Sequence, residues 1–239
     1  MGSAVLATMQ SVHRARGTWK ERVNVYIALT EFARHKFIEA GLPADKIVLK
    51  PNFLFPDPGL QEMNGDYALF VGRLSPEKGI STMLAAWQTL GSQIPLKIVG
   101  DGPLADEVAT AESQIPGVEW LGRQPQEEVQ KLMQNARMLV FPSVWYEGFP
   151  MVIVEAYAVG LPVVASNLGS LSSLVDPGRT GIHFRPGDPE DLAAQVEWAV
   201  THPEKLGQMG REARREFEAN YTAEANYRRL IEIYELACL

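Results

Sequence analysis

Cysteine is nearly absent from this chain: Cys238, next to the C-terminus, is the only one in 239 residues. A lone cysteine excludes an intrachain disulfide and a cysteine-based zinc site, and it is compatible with the reducing cytoplasm expected here. Histidine is scarce as well, and His13, His35, His183 and His202 show no metal-ligand spacing, so each is expected at the surface. No apolar run reaches the roughly 18–20 residues of a membrane-spanning helix, and the apolar stretch 4–7 is too short for a signal peptide. A P-loop, a G-x-S-x-G elbow and a G-x-G-x-x-G fingerprint are all missing. Positive charge is in deficit, with 22 Lys and Arg against 29 Asp and Glu and a net charge of −7, which argues against nucleic acid as a partner. The basic residues that exist gather at the ends: His13, Arg14, Arg16, Lys20 and Arg22 near the start, and Arg211, Arg214, Arg215, Arg228 and Arg229 near the finish. They read as solvated helix faces, with peripheral association to an anionic membrane as the alternative.

What the chain has is alternation. Short, nearly continuous apolar stretches at 25–29, 47–50, 67–71, 96–99, 118–120, 138–141, 162–165 and 181–184 read as strands. Helical patterns at 31–40, 79–90, 104–113, 126–135 and 151–159 lie between them. Strands of this kind interleaved with helices indicate a parallel sheet covered on both faces, a Rossmann-like, doubly wound α/β domain whose ligands sit beyond the C-terminal ends of the strands. Two regions do not fit that unit. Residues 4–22 look helical, with Val5, Met9 and Val12 on one stripe, and two more helices follow at 203–220 and 223–236. The last carries Tyr227, Leu230, Ile231 and Tyr234 at helical spacing. Such stripes either cover the sheet or are made for another domain. The expected division is therefore 1–22, 23–202 and 203–239, with residues 51–63 as the longest loop.

The most pointed chemistry is a pair of glutamates, Glu147 and Glu155, in the run Tyr146-Glu147-Gly148-Phe149-Pro150-Met151-Val152-Ile153-Val154-Glu155. Pro150 suits a helix start, while Gly160 and Pro162 suit its end. Apart from Glu155, positions 151–159 hold only Met, Val, Ile, Ala and Tyr, so the helix is expected to be buried. A carboxylate there needs a hydrogen bond or a charge partner; an internal arginine is one candidate and a ligand is the other. Glu147 lies just upstream, in the loop that leads into the helix N-terminus.

Other loops point the same way. Arg73 and Lys78, in Gly72-Arg73-Leu74-Ser75-Pro76-Glu77-Lys78-Gly79, precede a helix for which Ser75 is a candidate cap. Cations near a helix N-terminus cost about 0.3–1 kcal/mol, a cost that an anion shared between them removes. The alternative is a Glu77–Lys78 pair with Arg73 merely exposed. Gly100-Asp101-Gly102-Pro103 permits either a tight turn or close backbone approach to a ligand. Gly122-Arg123-Gln124-Pro125 has the same strand-to-helix form. In a parallel sheet these loops and 142–150 converge on one edge. Trp145 and Tyr146 either pack on the core or line a sugar or base pocket.

In order along the chain, Ile27-Ala28-Leu29-Thr30-Glu31-Phe32, Lys50-Pro51-Asn52-Phe53, Phe70-Val71-Gly72-Arg73-Leu74 with Glu77-Lys78-Gly79, Ile98-Val99-Gly100-Asp101-Gly102-Pro103, Pro142-Ser143 with Glu147-Gly148-Phe149-Pro150 and Glu155-Ala156, Gly160-Leu161-Pro162-Val163-Val164-Ala165, Thr180-Gly181 and Pro186-Gly187-Asp188 resemble one family. It is the donor-binding, C-terminal half of the retaining GT-B glycosyltransferases of family 4, whose E-x7-E signature the glutamate pair matches. The resemblance implies a UDP-, GDP- or ADP-sugar bound at this edge. Arg73 and Lys78 would hold the diphosphate and stabilise the departing nucleotide, and the amides of Met151 and Val152 would add the helix N-terminus. Glu147, with the Gly148 and Phe149 amides beside Pro150, would meet sugar hydroxyls, and Glu155 the ribose. Gly72, Gly100, Asp101 and Gly102 would line the site, and backbone near Arg123 and Gln124 would meet the base. No metal and no further cofactor is implied, and the sequence shows no D-x-D-like cluster.

Two departures from the family pattern stand out. Ser173 occupies a position where members commonly carry glutamate, and the N-terminal acceptor domain has no counterpart in the chain. Residues 1–22 look like the tail of that domain's last helix, and 223–236 like the helix that crosses back to it. Alone, the chain is expected to bind donor and transfer little. The alternatives are a non-catalytic nucleotide-sugar binding subunit of a split glycosyltransferase, and a GT-B sugar-nucleotide epimerase or phosphorylase.

Overall fold

Apolar strands too short to stand alone, each followed by a helix, build the body of the molecule. The computed structural model describes residues 2–60 and 65–238, so the end of the long 51–63 loop, at 61–63, lies outside the described residues. In chain order the elements are α1 (Gly2–Ala15), α2 (Thr18–Glu21), β1 (Tyr26–Ala28), α3 (Glu31–Glu39), β2 (Ile47–Leu49), β3 (Ala68–Val71), α4 (Ile80–Leu90), β4 (Leu96–Val99), α5 (Ala105–Gln114) and β5 (Val118–Gly122). They continue with α6 (Gln126–Gln134), β6 (Met138–Phe141), α7 (Met151–Ala158), β7 (Val163–Ser166), α8 (Leu171–Leu174), β8 (Gly181–Phe184), α9 (Pro189–Thr201), α10 (Pro203–Asn220) and α11 (Ala223–Ala237).

Six strands form one parallel sheet in the order β5-β4-β3-β6-β7-β8. The order runs outward from β3 in both directions, so the loops that follow β3 and β6 leave neighbouring strands toward opposite halves of the sheet. That reversal opens a crevice at the C-terminal edge. Alternation within each strand feeds two cores. Phe70 and Val140 face a layer with Ile80, Met83 and Trp87 of α4 and Val196 of α9. Leu69 and Leu139 face Ile153, Val154 and Tyr157 of α7 and Phe217 of α10. Both faces being covered explains why the strands read as continuous apolar runs. Full burial of a side chain such as Phe70 contributes about 1.5–3 kcal/mol. Trp87 is fully buried because its indole N–H donates to Ile94 O at 2.9 Å, which removes the cost of hiding that donor.

The first two strands depart from the expected run. β1 and β2 pair with each other in a separate two-stranded parallel sheet rather than joining the main one. This small sheet leans on α11, where Arg229 Nε donates to Leu49 O at 3.2 Å and Asn226 Nδ2 to Pro51 O at 2.7 Å. Helix α9 was absent from the sequence expectations. Asp188 caps it by accepting from the Asp191 amide at 2.9 Å, and Pro189 occupies its first turn. On α11, Asn226 and Ile233 are the buried residues, whereas Tyr227, Ile231 and Tyr234 face outward together. The stripe seen in the sequence therefore does not cover the sheet. No helix of the described residues is long and apolar enough to cross a membrane. The C-terminal arginines are largely paired within the chain, as Arg214–Asp57, Arg215–Glu212, Arg228–Glu224 and Arg229–Glu232.

Candidate functional site: a cleft at the strand-order reversal

The loops after β3, β4, β5 and β6 are tied to one another by backbone hydrogen bonds. Gly72 N donates to Val99 O at 3.0 Å, Leu74 N to Asp101 O at 3.0 Å, Gly100 N to Gly122 O at 2.8 Å, and Val144 N to Glu77 O at 2.9 Å. The expected convergence is present, and it is backbone that makes it. Gly100 shows why glycine stands there. Its φ is +140°, and a Cβ would lie 1.8 Å from Gly72 O. The close approach that this glycine permits is thus to the neighbouring loop.

These loops enclose a cleft of about 510 Å³ lined by Gly72, Arg73, Gly100, Asp101, Gly102, Arg123 and Gln124, with Val129 at its floor. The Asp101 carboxylate is occupied locally, accepting from Gly102 N at 2.7 Å. Arg73 is exposed and, among the described residues, has no hydrogen-bond or ion-pair partner for its guanidinium. The expected cap does not form: Ser75 Oγ donates to Glu77 Oε1 at 2.6 Å, residues Pro76–Lys78 make a 3-10 turn, and α4 begins after Gly79 in the left-handed region.

Glu155 lies in an adjoining, mostly apolar cavity of about 360 Å³, lined by Leu54, Phe55, Pro56, Pro58, Gln126, Val129, Gln130 and Met133. Val129 belongs to both cavities, so they are neighbours. Glu155 is half-buried rather than enclosed, and no arginine pairs with it among the described residues. It accepts one long hydrogen bond, from Gln126 Nε2 at 3.4 Å. Burial pushes its pKa up, and the bond from Gln126 offsets that only in part. The carboxylate is therefore held on an otherwise apolar helix with one long hydrogen bond from a protein side chain among the described residues.

Lys78 and Glu147 line neither cavity; they meet each other. Lys78 Nζ lies 2.7 Å from Glu147 Oε1, across the gap between the β3 and β6 loops. Lys78 also sits 5.5 Å from the Phe141 ring centroid. The alternative pairing of Lys78 with Glu77 gives way to this one. Gly148 is exposed and Pro150 buried, and Phe149 turns its ring into the core against Tyr221, 6.1 Å between centroids, which leaves its backbone for any ligand. Among the described residues no side chain caps α7, so the amides of Met151 and Val152 have no side-chain acceptor there. Tyr146 packs on Phe32 at 4.8 Å, while Trp145 stands 68% exposed. The sequence reading gave no role to Ser143 and Ser170, whose hydroxyls reach Glu147 at 2.7 Å each. Ser143, a short polar residue between Pro142 and Val144, was the only signal, and Ser170 is one of several serines in its turn. Nor did it place Trp120, whose indole N–H donates to Gly100 O at 3.0 Å and braces the cleft wall.

The cleft at the strand-order reversal of a six-stranded parallel sheet defines the class of fold, and the comparisons supply its family. The chain belongs to the family described as "Glycosyl transferases group 1", whose profile matches residues 55–216. It is 31% identical over 180 residues to the D-rhamnosyltransferase WbpZ of Pseudomonas aeruginosa, an alignment covering 71% of this chain and 47% of that protein. It is 31% identical over 201 residues to the O-antigen chain mannosyltransferase B of Escherichia coli, covering 74% and 51% respectively. The chain thus spans about half the length of the curated relatives it matches. Among solved structures, Alr3699/HepE of Anabaena in complex with UDP superposes with a TM-score of 0.81 at 22% identity, over 89% of this chain and 64% of that one.

Proposed function

We propose that the chain is the donor-binding part of a retaining, family 4 hexosyltransferase and binds a nucleotide-diphosphate sugar at this cleft. One observation carries the reading: among the described residues, Arg73 and Glu155, a cation and a half-buried carboxylate in adjoining cavities, both lack an ionic partner. A ligand with a diphosphate at one end and vicinal hydroxyls beside it satisfies both at once. UDP in the Alr3699/HepE structure supports a ligand of that class.

In the transfer, the bond from the anomeric carbon to the β-phosphate oxygen breaks. A bond to the acceptor oxygen forms on the same face, and the acceptor hydroxyl passes its proton to the departing β-phosphate oxygen. Negative charge grows on the leaving nucleoside diphosphate. In this reading Arg73 and Lys78, the latter turning from Glu147, stabilise that charge together with the amides at the start of α7. Glu147, with the Gly148 and Phe149 amides, takes hydroxyls of the donor hexose, Glu155 those of the ribose, and backbone at Arg123 and Gln124 the base. Nothing in this scheme calls on a metal.

The acceptor falls to a further domain, on the same polypeptide or on a separate subunit. The outward apolar faces of α1 (Val5, Leu6, Met9) and α11 favour such a neighbour. By itself the chain binds donor and transfers little. Residues 23–202 form the binding unit in this reading, and 203–239 its cover. Any contact with an anionic membrane falls to the N-terminal basic cluster, because most C-terminal arginines are paired internally.

Calorimetric titration with UDP, GDP and ADP tests the reading. One nucleotide is expected to bind, and Arg73→Ala and Glu155→Ala are each expected to weaken it about tenfold or more. A folded chain that binds none of the three refutes it.

A further inference from the structure

Glu147 belongs to an exposed stretch: Val144, Trp145, Tyr146 and Gly148 around it all face solvent. A sugar-binding carboxylate needs its rotamer fixed to well under an ångström, and a loop in water does not do that unaided. Three contacts hold it. Lys78 Nζ and Ser143 Oγ each lie 2.7 Å from Glu147 Oε1, and Ser170 Oγ donates to Glu147 O at 2.7 Å. Both serines are 0% exposed, and they come from different loops, Ser143 just past β6 and Ser170 just before α8.

A serine hydroxyl has one proton to give. Ser143 Oγ has three acceptors in reach: Glu147 Oε1 at 2.7 Å, Glu77 O at 3.0 Å and Trp145 O at 3.3 Å. Glu77 O already receives the Val144 amide at 2.9 Å. The carboxylate is the nearest of the three and the only ionised one, so the proton goes to it as a charge-assisted bond. A local turn role for Ser143 rests on the Trp145 amide at 3.4 Å, a far weaker contact.

The Lys78 bond is the one of the three that donor binding disturbs. A diphosphate carries more negative charge than a carboxylate and draws Lys78 toward itself. Glu147 then loses one of its two side-chain donors at the moment it must meet the sugar. We infer that Ser143 and Ser170 are positioning residues that hold Glu147 in its sugar-binding geometry once Lys78 has turned to the diphosphate, Ser143 by the carboxylate and Ser170 by the backbone. The inference rests on the donor-site reading above.

The test compares, on the full 239-residue chain, the affinities for UDP and UDP-glucose, GDP and GDP-mannose, and ADP and ADP-glucose. The readout is the extra affinity that the sugar adds to its own nucleotide. Ser143→Ala is expected to leave nucleotide affinity within about twofold and to cut the sugar's contribution about tenfold, the value of one charge-assisted hydrogen bond. Ser170→Ala is expected to act in the same direction and less. An equal loss on nucleotide and conjugate overturns the inference, since general damage to the fold does that. A sugar contribution untouched by Ser143→Ala but abolished by Glu147→Gln also overturns it. If Glu147→Gln leaves the sugar contribution intact, the role of Glu147 itself is wrong, and the donor-site reading fails before this one.

Discussion

Glu155 opposes the fold it sits in. Its pKa is raised above the ordinary 4.5 because burial disfavours the charged form. The sign follows directly: above the unfolded value the unfolded chain ionises Glu155 more readily, so the ionised carboxylate lowers stability at neutral pH. Glu155→Gln keeps the shape and removes the charge. It should raise stability by about 1 kcal/mol, seen as a thermal midpoint a few degrees higher, while weakening nucleotide binding about tenfold. A variant that is both more stable and equally tight would show that the carboxylate serves no ligand. His183 is the second such residue. Among the described residues its buried Nε2 has no hydrogen-bond partner, and burial lowers its pKa below 6.5 despite backbone hydrogen bonds with Leu171 and Val175. A histidine kept neutral in the fold gives stability that is fully present above its unfolded value of about 6.5 and is lost as pH falls from there through its lower folded pKa. Between about pH 7.5 and 5.5 the thermal midpoint should drop more for the parent than for His183→Gln, a difference that scanning calorimetry reads directly. The sequence announced Glu155 clearly, because a charge in an apolar helix breaks a pattern. It gave no sign of His183, which its spacing placed at the surface.

At the scale of elements, the site is a set of loops locked together by glycines. Gly79 has φ +71°, and a Cβ there would stand 1.9 Å from Pro142 O, so the β3 loop and the β6 loop touch at this point. Gly79→Ala should cost at least about 2 kcal/mol from left-handed strain and the clash, lowering the urea midpoint. It should also weaken donor binding, because Lys78 and Glu147 lie on the two loops it forces apart. An unchanged urea midpoint would mean that the loops can separate at little cost. Much of this architecture was readable in advance. Pro150 and Gly160 bounded α7, and the alternation of apolar stretches yielded all six strands of the main sheet. What escaped was pairing. β1 and β2 have the same apolar run as the others, and nothing in Tyr26–Ala28 or Ile47–Leu49 says that they pair apart from the main sheet. The Gly100 turn likewise told of a tight turn or close approach to a ligand, whereas the approach it makes is to Gly72 O of the neighbouring loop. α9 was missed although Asp188, Pro189, Glu190 and Asp191 form a strong helix start, because only its cap, Asp188, was singled out, as the last residue of Pro186-Gly187-Asp188. The Lys78–Glu147 pair joins residues 69 positions apart, a distance over which local sequence carries no information.

For the whole molecule, the unresolved tension is one of surface. α11 keeps Asn226 and Ile233 against the small sheet and the body, yet presents Tyr227 at 66% and Tyr234 at 58% exposure on the opposite side. A helix with apolar residues on two faces has more apolar surface than this chain can bury. If the outer face is made for a further domain, it contributes little to the fold of this chain alone. Tyr227→Lys combined with Tyr234→Lys should then shift stability by no more than about 0.5 kcal/mol, since both sites are exposed and lysine suits a helix. Ile233→Ala, on the buried side of the same helix, should cost about 2–4 kcal/mol by leaving a cavity. The two measurements share one helix and one assay, so propensity and fraying affect both alike. A costly tyrosine pair would mean that the outer face is already covered in the free chain, as in a self-associated form, and would count against its being left open for the proposed further domain. A silent pair beside a costly Ile233 leaves α11 as a helix fixed to the body by one face, with the other open, as the proposed acceptor-binding domain requires.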